Sequence, residues 1–183
     1  MKEETHMSDA LPLGLLLALT GGILDAYTYL NRGQVFATAE TGNLVLLGIN
    51  CAMGQWRRAA YYLAECLAVA AAALIPQGGL DPLVNCMIAF ISAMQVQTFR
   101  KFRGCACATT MCTGNLRSGV EALYFHLADN EPGALDRAGV YFGLILCFIA
   151  GAVVSGLLSP LLAGRTVLVA LLPLSAAFLL MFR

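Results

Sequence analysis

Charge is scarce in this chain. Only 12% of its 183 residues are Asp, Glu, Lys or Arg, against 59% hydrophobic residues, and the mean hydropathy is +0.75. Soluble domains carry about a quarter charged residues. A soluble fold with so few charges would expose apolar patches well beyond the few hundred Å² that monomeric proteins tolerate. A lipid bilayer removes that difficulty by acting as solvent for the apolar surface. Acidic and basic residues balance at eleven each, so no net field favours nucleic acid or an acidic partner. Histidine is scarce too: His6 lies in the tail and His126 beside a loop. A Gly-rich phosphate loop, an H-E-x-x-H motif and a G-x-S-x-G motif are all missing. With no triad and no metal set, the chain reads as a non-enzyme that holds no cofactor and no metal.

Cysteine is present, but not in the manner of a disulfide framework. Cys51, Cys66, Cys86, Cys105, Cys107, Cys112 and Cys147 fall mostly inside apolar runs, where cysteine packs as a small hydrophobe. Cys105-x-Cys107 with Cys112 offers three thiols to a soft metal, yet thiolate sites need three or four converging ligands and no histidine is near in sequence. Packing is the preferred reading.

Long apolar runs are what the sequence has in abundance. The first nine residues, MKEETHMSD, form a polar tail that is acidic rather than basic. The run after it lacks a small-x-small cleavage site and continues into further apolar segments, so it reads as a first span and not a removed signal peptide. Spans or part-spans are expected over Ala10–Leu30, Val35–Gly54, Ala59–Ile75, Pro82–Phe99, Gly104–Leu127, Ala138–Leu158 and Thr166–Phe182. Trp56, Arg57 and Arg58 suit an interface, and Ala128–Arg137 is the clearest loop outside the membrane. The segments Val35–Gly54 and Gly104–Leu127 are polar in their middles. If both enter and leave on one side, then Arg32, Arg57, Arg58, the Arg100–Arg103 cluster and Arg137 share one face, cytoplasmic by the positive-inside rule. That arrangement is the expectation; if both segments span, the cations divide between two faces.

An internal repeat organises these runs. At an offset of 72 positions, Thr38-Ala39-Glu40-Thr41-Gly42-Asn43-Leu44 lines up with Thr110-Met111-Cys112-Thr113-Gly114-Asn115-Leu116. Arg58-Ala59-Ala60-Tyr61-Tyr62 resembles Arg137-Ala138-Gly139-Val140-Tyr141 at an offset of 79. The fold class expected is an all-α, polytopic transmembrane bundle of two repeats: 10–80, shortened, and 81–183, each with an interrupted, re-entrant Thr-Gly-Asn segment. Duplicated interruptions at matching positions are a transporter pattern, and the interruptions point to the binding site. Glycine lets backbone leave helical geometry, while Thr and Asn satisfy the amides and carbonyls that lipid leaves bare.

The stretches GGILDAYTYLNRGQVFATAETGNLVLLG and AMQVQTFRKFRGCACATTMCTGNLRSG resemble the two signature regions of the YoaK-like family, bacterial multi-pass inner-membrane proteins grouped as a domain of unknown function. The resemblance extends over nearly the whole chain. It implies bacterial inner-membrane location and the family's fold, and brings no substrate or activity. Family members carry a further span and a basic loop after the element matching Arg58–Leu63. Here Tyr61-Tyr62-Leu63 runs straight into Ala64-Glu65-Cys66-Leu67, so about one span is missing from the first half.

Two functions remain open. In the first, the chain is a small transporter or permease whose polar site forms at the repeat interface from Asp25, Glu40, Thr41, Asn43, Gln97, Thr113 and Asn115, binding a small molecule or ion. In the second, it is a non-transporting interaction protein in which Thr-Gly-Asn is helix-packing glue and the cationic face meets anionic lipid or a partner. Asp25 is an intramembrane carboxylate in the first reading and a solvated partner of Arg32 in the second. Arg117 reads as snorkelling to the interface rather than facing a cavity. Membrane lipid is the one partner common to both readings, and a homo-oligomer is compatible with either.

Overall fold

The computed structural model describes residues 10–36, 75 and 77–181. Its first helix, α1 (Leu11–Asn31), starts with Pro12 in the first turn, where the missing N–H would have had no helical partner. At 21 residues it is about 31 Å long, the thickness of a bilayer's hydrocarbon core. Gly33 and Gln34 then take positive φ, 85° and 59°, and turn the chain away. Beyond residues 37–74 the chain resumes in α2 (Asp81–Thr98), a two-strand hairpin of β1 (Lys101–Phe102) and β2 (Cys105–Ala106), α3 (Cys112–Asp129), α4 (Ala134–Leu162), a 3-10 segment (Ala163–Ala170) and α5 (Leu171–Met181).

Helix α1 is the centre of this assembly and α4 lies along it in the same direction. Leu15 meets Gly143, the Gly22 and Gly151 backbones meet the opposite helix directly, and Asn31 donates to Ser159 Oγ at 2.9 Å. A Cβ on Gly22 would run into the Phe148 carbonyl, and one on Gly151 into the Leu19 carbonyl. Small residues at such a crossing let backbones approach closely, which drives helix pairing where lipid supplies no hydrophobic force. Helix α3 folds back on α4 through Asn130 and Gly133, both left-handed. The 3-10 segment and α5 return along α1, placing Val167 and Ala170 beside Ile23 and Tyr27, and Ala177 beside Leu13 and Leu17.

Among the described residues two stretches are long and apolar enough to cross a membrane: α1, with 61% of its apolar window buried, and Ala134–Ala177, with 22%. The contrast separates a central helix from a peripheral one. On α4, Leu146, Ile149, Val153, Leu157 and Leu161 form an exposed stripe at helical spacing. That stripe runs roughly 22 Å along the helix, an apolar surface that suits lipid. The mostly helical architecture and these apolar helices make the chain membrane-associated.

The structure departs from the sequence reading in three places. Helix α4 begins four residues before Ala138 and takes in Asp136 and Arg137, because a carboxylate is favourable in a helix's first turn. It also continues through Pro160, which near the C-terminal end costs one backbone bond, and breaks at Ala163 (φ 45°). The last span is divided into the 3-10 segment and α5, where one helix over Thr166–Phe182 is expected.

The third departure concerns the cations. Helices α1 and α2 are antiparallel: Asn85, early in α2, donates to the Arg32 carbonyl at 2.8 Å, and Gln95, late in α2, donates to the Leu17 carbonyl at 3.1 Å. The chain therefore leaves α2 at the opposite end from Arg32. Arg100, Lys101 and Arg103 lie at the Gly14 end with the start of α4, and Arg32 lies at the other end, so a single face shared by Arg32, the Arg100–Arg103 cluster and Arg137 is not formed. Arg57 and Arg58 lie outside the described residues.

Candidate functional site

An apolar bundle has few reasons to bury polar side chains, so those it buries mark where work is done. On α1 these are Thr20, Asp25 and Thr28, with Arg32 just past its end; on α2, Asn85, Ser92 and Gln95; between α2 and α3, Thr109; on α3, Asn115; on α4, Ser155 and Ser159; and in the 3-10 segment, Thr166. Together they make a polar seam beside α1, which ends in an ion-pair node.

The node is built around Arg32, only 1% exposed. Its Nη1 pairs with Asp81 Oδ1 at 3.0 Å, its Nη2 donates to the Ile75 carbonyl at 2.8 Å and its Nε donates to Tyr27 Oη at 2.6 Å. The guanidinium carbon lies 5.5 Å from the Tyr27 ring centre, and Tyr27 in turn donates to the Gly164 carbonyl at 3.1 Å. Asp81 also accepts from the Gly78 amide at 3.1 Å. Arginine suits this place because its fixed fork satisfies several acceptors at once. One end of the bundle is thus tied across α1, α2 and the 3-10 segment.

Between α2 and α3 the chain does not simply turn. After the hairpin it runs without helical structure back along α1, so that Thr110 Cγ2 sits 2.9 Å from where a Cβ on Gly21, the middle residue of α1, would stand. Gln95 Nε2 holds this stretch by donating to Thr109 Oγ1 at 2.6 Å. Helix α3 then starts at Cys112 with no side-chain cap, within electrostatic reach of the Asp25 carboxylate. Among the described residues three buried polar atoms have no hydrogen-bond partner: Thr110 Oγ1, Asn85 Oδ1 and Ser155 Oγ.

The residues chosen from sequence fall unevenly on this arrangement. Asp25 is buried at 9% exposure on α1, with Thr28 Oγ1 donating to its carbonyl at 3.1 Å. Asn115 is buried at 4%, and its carboxamide is engaged on both sides by one residue: Nδ2 donates to the Ala108 carbonyl at 2.7 Å and Oδ1 accepts the Ala108 amide at 3.3 Å. Thr113 is exposed in the first turn of α3. Gln97 lies in the last turn of α2. Glu40, Thr41 and Asn43 lie outside the described residues. Sequence reasoning passed over Thr20, Asn85, Ser92, Thr109 and Ser155 as isolated polar residues in apolar runs. Polar positions inside spans are the signal that would have found them.

The hairpin carries its own chemistry. Phe102 is fully buried against α1, while Arg100, Lys101 and Arg103 around it are exposed. The Cys107 thiol donates to the Cys105 carbonyl at 3.3 Å. Among the described residues no three His, Cys, Asp or Glu side chains converge closely enough to hold a metal ion.

No curated protein and no solved structure matches this chain. A family model does, in two stretches, residues 13–65 and 53–181, which overlap around Leu63, where the sequence reading places a missing span. Between them these matches take in nearly all of the chain, including α1, the hairpin and the seam, and the chain belongs to the family described as protein of unknown function (DUF1275).

Proposed function

We propose that this chain is a multi-pass protein of the bacterial inner membrane that binds and moves a small polar or ionic solute, at a site between two repeats of opposite orientation. The observation that carries the reading is the non-helical stretch Phe99–Met111, whose Thr110 reaches the middle of α1 at Gly21, one turn before the buried Asp25. Within hydrocarbon such backbone is tolerated only where protein buries it or where it lines a cavity. Transporters use broken segments of this kind near the midplane, with half-helix N-termini aimed at the site. The antiparallel run of α1 and α2, the helices that the 72-residue offset matches, supports the inverted relation.

In this reading Asp25, Thr110 and the uncapped start of α3 face the solute, with Glu40, Thr41 and Asn43 as the counterpart from the first repeat. The Arg32–Asp81 node closes one end. The test is flux in reconstituted vesicles, using a panel of monovalent cations, amino acids and small organic anions, with internal pH followed in parallel. Asp25→Asn and Thr110→Val should abolish the flux that wild type shows while leaving the melting temperature within a few degrees. Wild-type vesicles indistinguishable from empty ones across the panel would refute it.

A second reading has an observation of its own. The Asn115 carboxamide is wholly engaged with Ala108, as glue would be. If the seam is only packing, the chain is a non-transporting interaction protein, and Asn115→Ala, Asp25→Asn and Thr110→Val should change stability alone.

A further inference from the structure

The end of the bundle opposite the Arg32 node carries a feature that the proposed transport site does not use. Between α1 and α5 lies an open cleft of about 540 Å³, within the roughly 300–1,000 Å³ range of ligand clefts. Leu13 and Leu17 of α1, Leu174, Ala177 and Leu179 of α5, and Phe99 line it, with Ser175 the single polar residue among the described lining residues. Phe99 leads directly into Arg100-Lys101-Phe102-Arg103. The Phe102 ring packs where Gly14 leaves room, since a Cβ there would stand 2.8 Å from the ring. That anchor fixes the hairpin at the end of the cleft and leaves Arg100, Lys101 and Arg103 exposed beside it.

The elements that form the cleft carry no carboxylate beside these cations, and on the α4 side Glu131 is paired with Arg137 while Asp136 stands in the first turn. The stretch 99–111 contains no carboxylate, α1 has none before Asp25, and α5 has none. An apolar trough that ends in fixed cations matches an amphiphile with an acyl chain and an anionic head. The geometry points to a binding site for one anionic phospholipid, its acyl chain in the α1–α5 cleft and its phosphate on Lys101 and Arg103. A free phosphate would leave the cleft unfilled, and a zwitterionic lipid would gain little from the cations. Basic pockets beside membrane helices hold lipid head groups on this principle. The site is independent of whether the seam transports.

The test uses the purified full chain in detergent, with native mass spectrometry after adding phosphatidylglycerol or phosphatidylcholine of matched chains. Wild type should retain phosphatidylglycerol about tenfold or more over phosphatidylcholine. The Lys101→Gln/Arg103→Gln double variant, both sites being exposed, should keep its melting temperature and lose that preference. Ser175→Trp, which fills the cleft and leaves the cations in place, should lower phosphatidylglycerol retention severalfold. Inorganic phosphate should fail to displace the lipid. Equal retention of the two lipids by wild type, the mark of annular lipid only, would overturn the proposal. So would an unchanged preference in the double variant, full retention by Ser175→Trp, or displacement by phosphate alone.

Discussion

Replacing Gly22 or Gly151 by alanine adds one methyl group at the closest approach of α1 and α4. In each case the methyl meets a backbone carbonyl of the other helix, Phe148 or Leu19, and not the end of a flexible side chain. The helices must separate, and overpacking of this kind costs about 1–3 kcal/mol. Alanine also returns up to about 1 kcal/mol of helix propensity relative to glycine, so the net loss is about 1–2 kcal/mol. Gly156 lies on the same helix α4 with no atom of the described residues within 4 Å of its Cβ position. There the propensity gain stands alone, about 0.5–1 kcal/mol. The sign should therefore reverse within five residues of one helix. For a chain of this size a spread of about 2 kcal/mol corresponds to roughly 4–8 °C in melting temperature. Thermal unfolding in detergent, followed by circular dichroism, reads that spread directly. If Gly22→Ala and Gly151→Ala melt as high as Gly156→Ala, the backbone contact between α1 and α4 does not exist and the parallel pairing is wrong.

Two further outcomes follow from the buried polar groups. Arg32→Ala should destabilise by about 3–5 kcal/mol, because it strips a buried ion pair of one partner; Arg32→Lys should recover less than half, and a melting temperature within 2 °C of wild type for either would count against the node. Asn115→Ala removes both bonds to Ala108 and should cost about 2–3 kcal/mol. Asn115→Asp should rescue poorly, since a carboxylate accepts the amide but repels the carbonyl; full rescue would refute the bidentate clamp.

Apolar run length made α1 and α2 legible to within a residue or two, and located α4 with shorter ends. Neither the hairpin Lys101–Ala106 nor the 3-10 segment could be read that way. The hairpin's strands are two residues each, too short for alternation to register, and its anchor is Phe102 against Gly14, a contact between residues far apart in sequence. The Arg32 node was hidden for the same reason. Its partners Asp81 and Gly164 lie 49 and, through Tyr27, 137 residues away. The cation count placed Arg32 with the Arg100–Arg103 cluster because it depended on how often the chain crosses between residues 35 and 80. The repeat, in contrast, drew attention to the stretch that contains Thr109, Thr110 and Asn115, and there the seam meets the break in helical structure.

That stretch also shows how the polar groups of an interrupted segment divide into two kinds. Some must hold the backbone, because lipid offers no hydrogen bonds to a chain that has left its helix. Asn115 clamps Ala108, Gln95 ties Thr109 to the Leu17 carbonyl, and Asn85 Nδ2 takes the Arg32 carbonyl that ends α1. Those groups cannot turn to a solute without releasing the structure. Thr110 Oγ1 has no such duty: it is buried, unpartnered and carried on a side chain packed beside Gly21 at the middle of α1. A buried hydroxyl left unsatisfied costs about 1–3 kcal/mol, a cost that a bound solute or water would offset. Thr110 opens the repeated stretch, paired with Thr38 at the same offset that pairs Asn43 with Asn115. Asn115 therefore belongs with the scaffold, while Thr110, beside Gly21 and one turn of α1 before Asp25, carries the unpartnered hydroxyl that the proposed transport site would offer to a ligand.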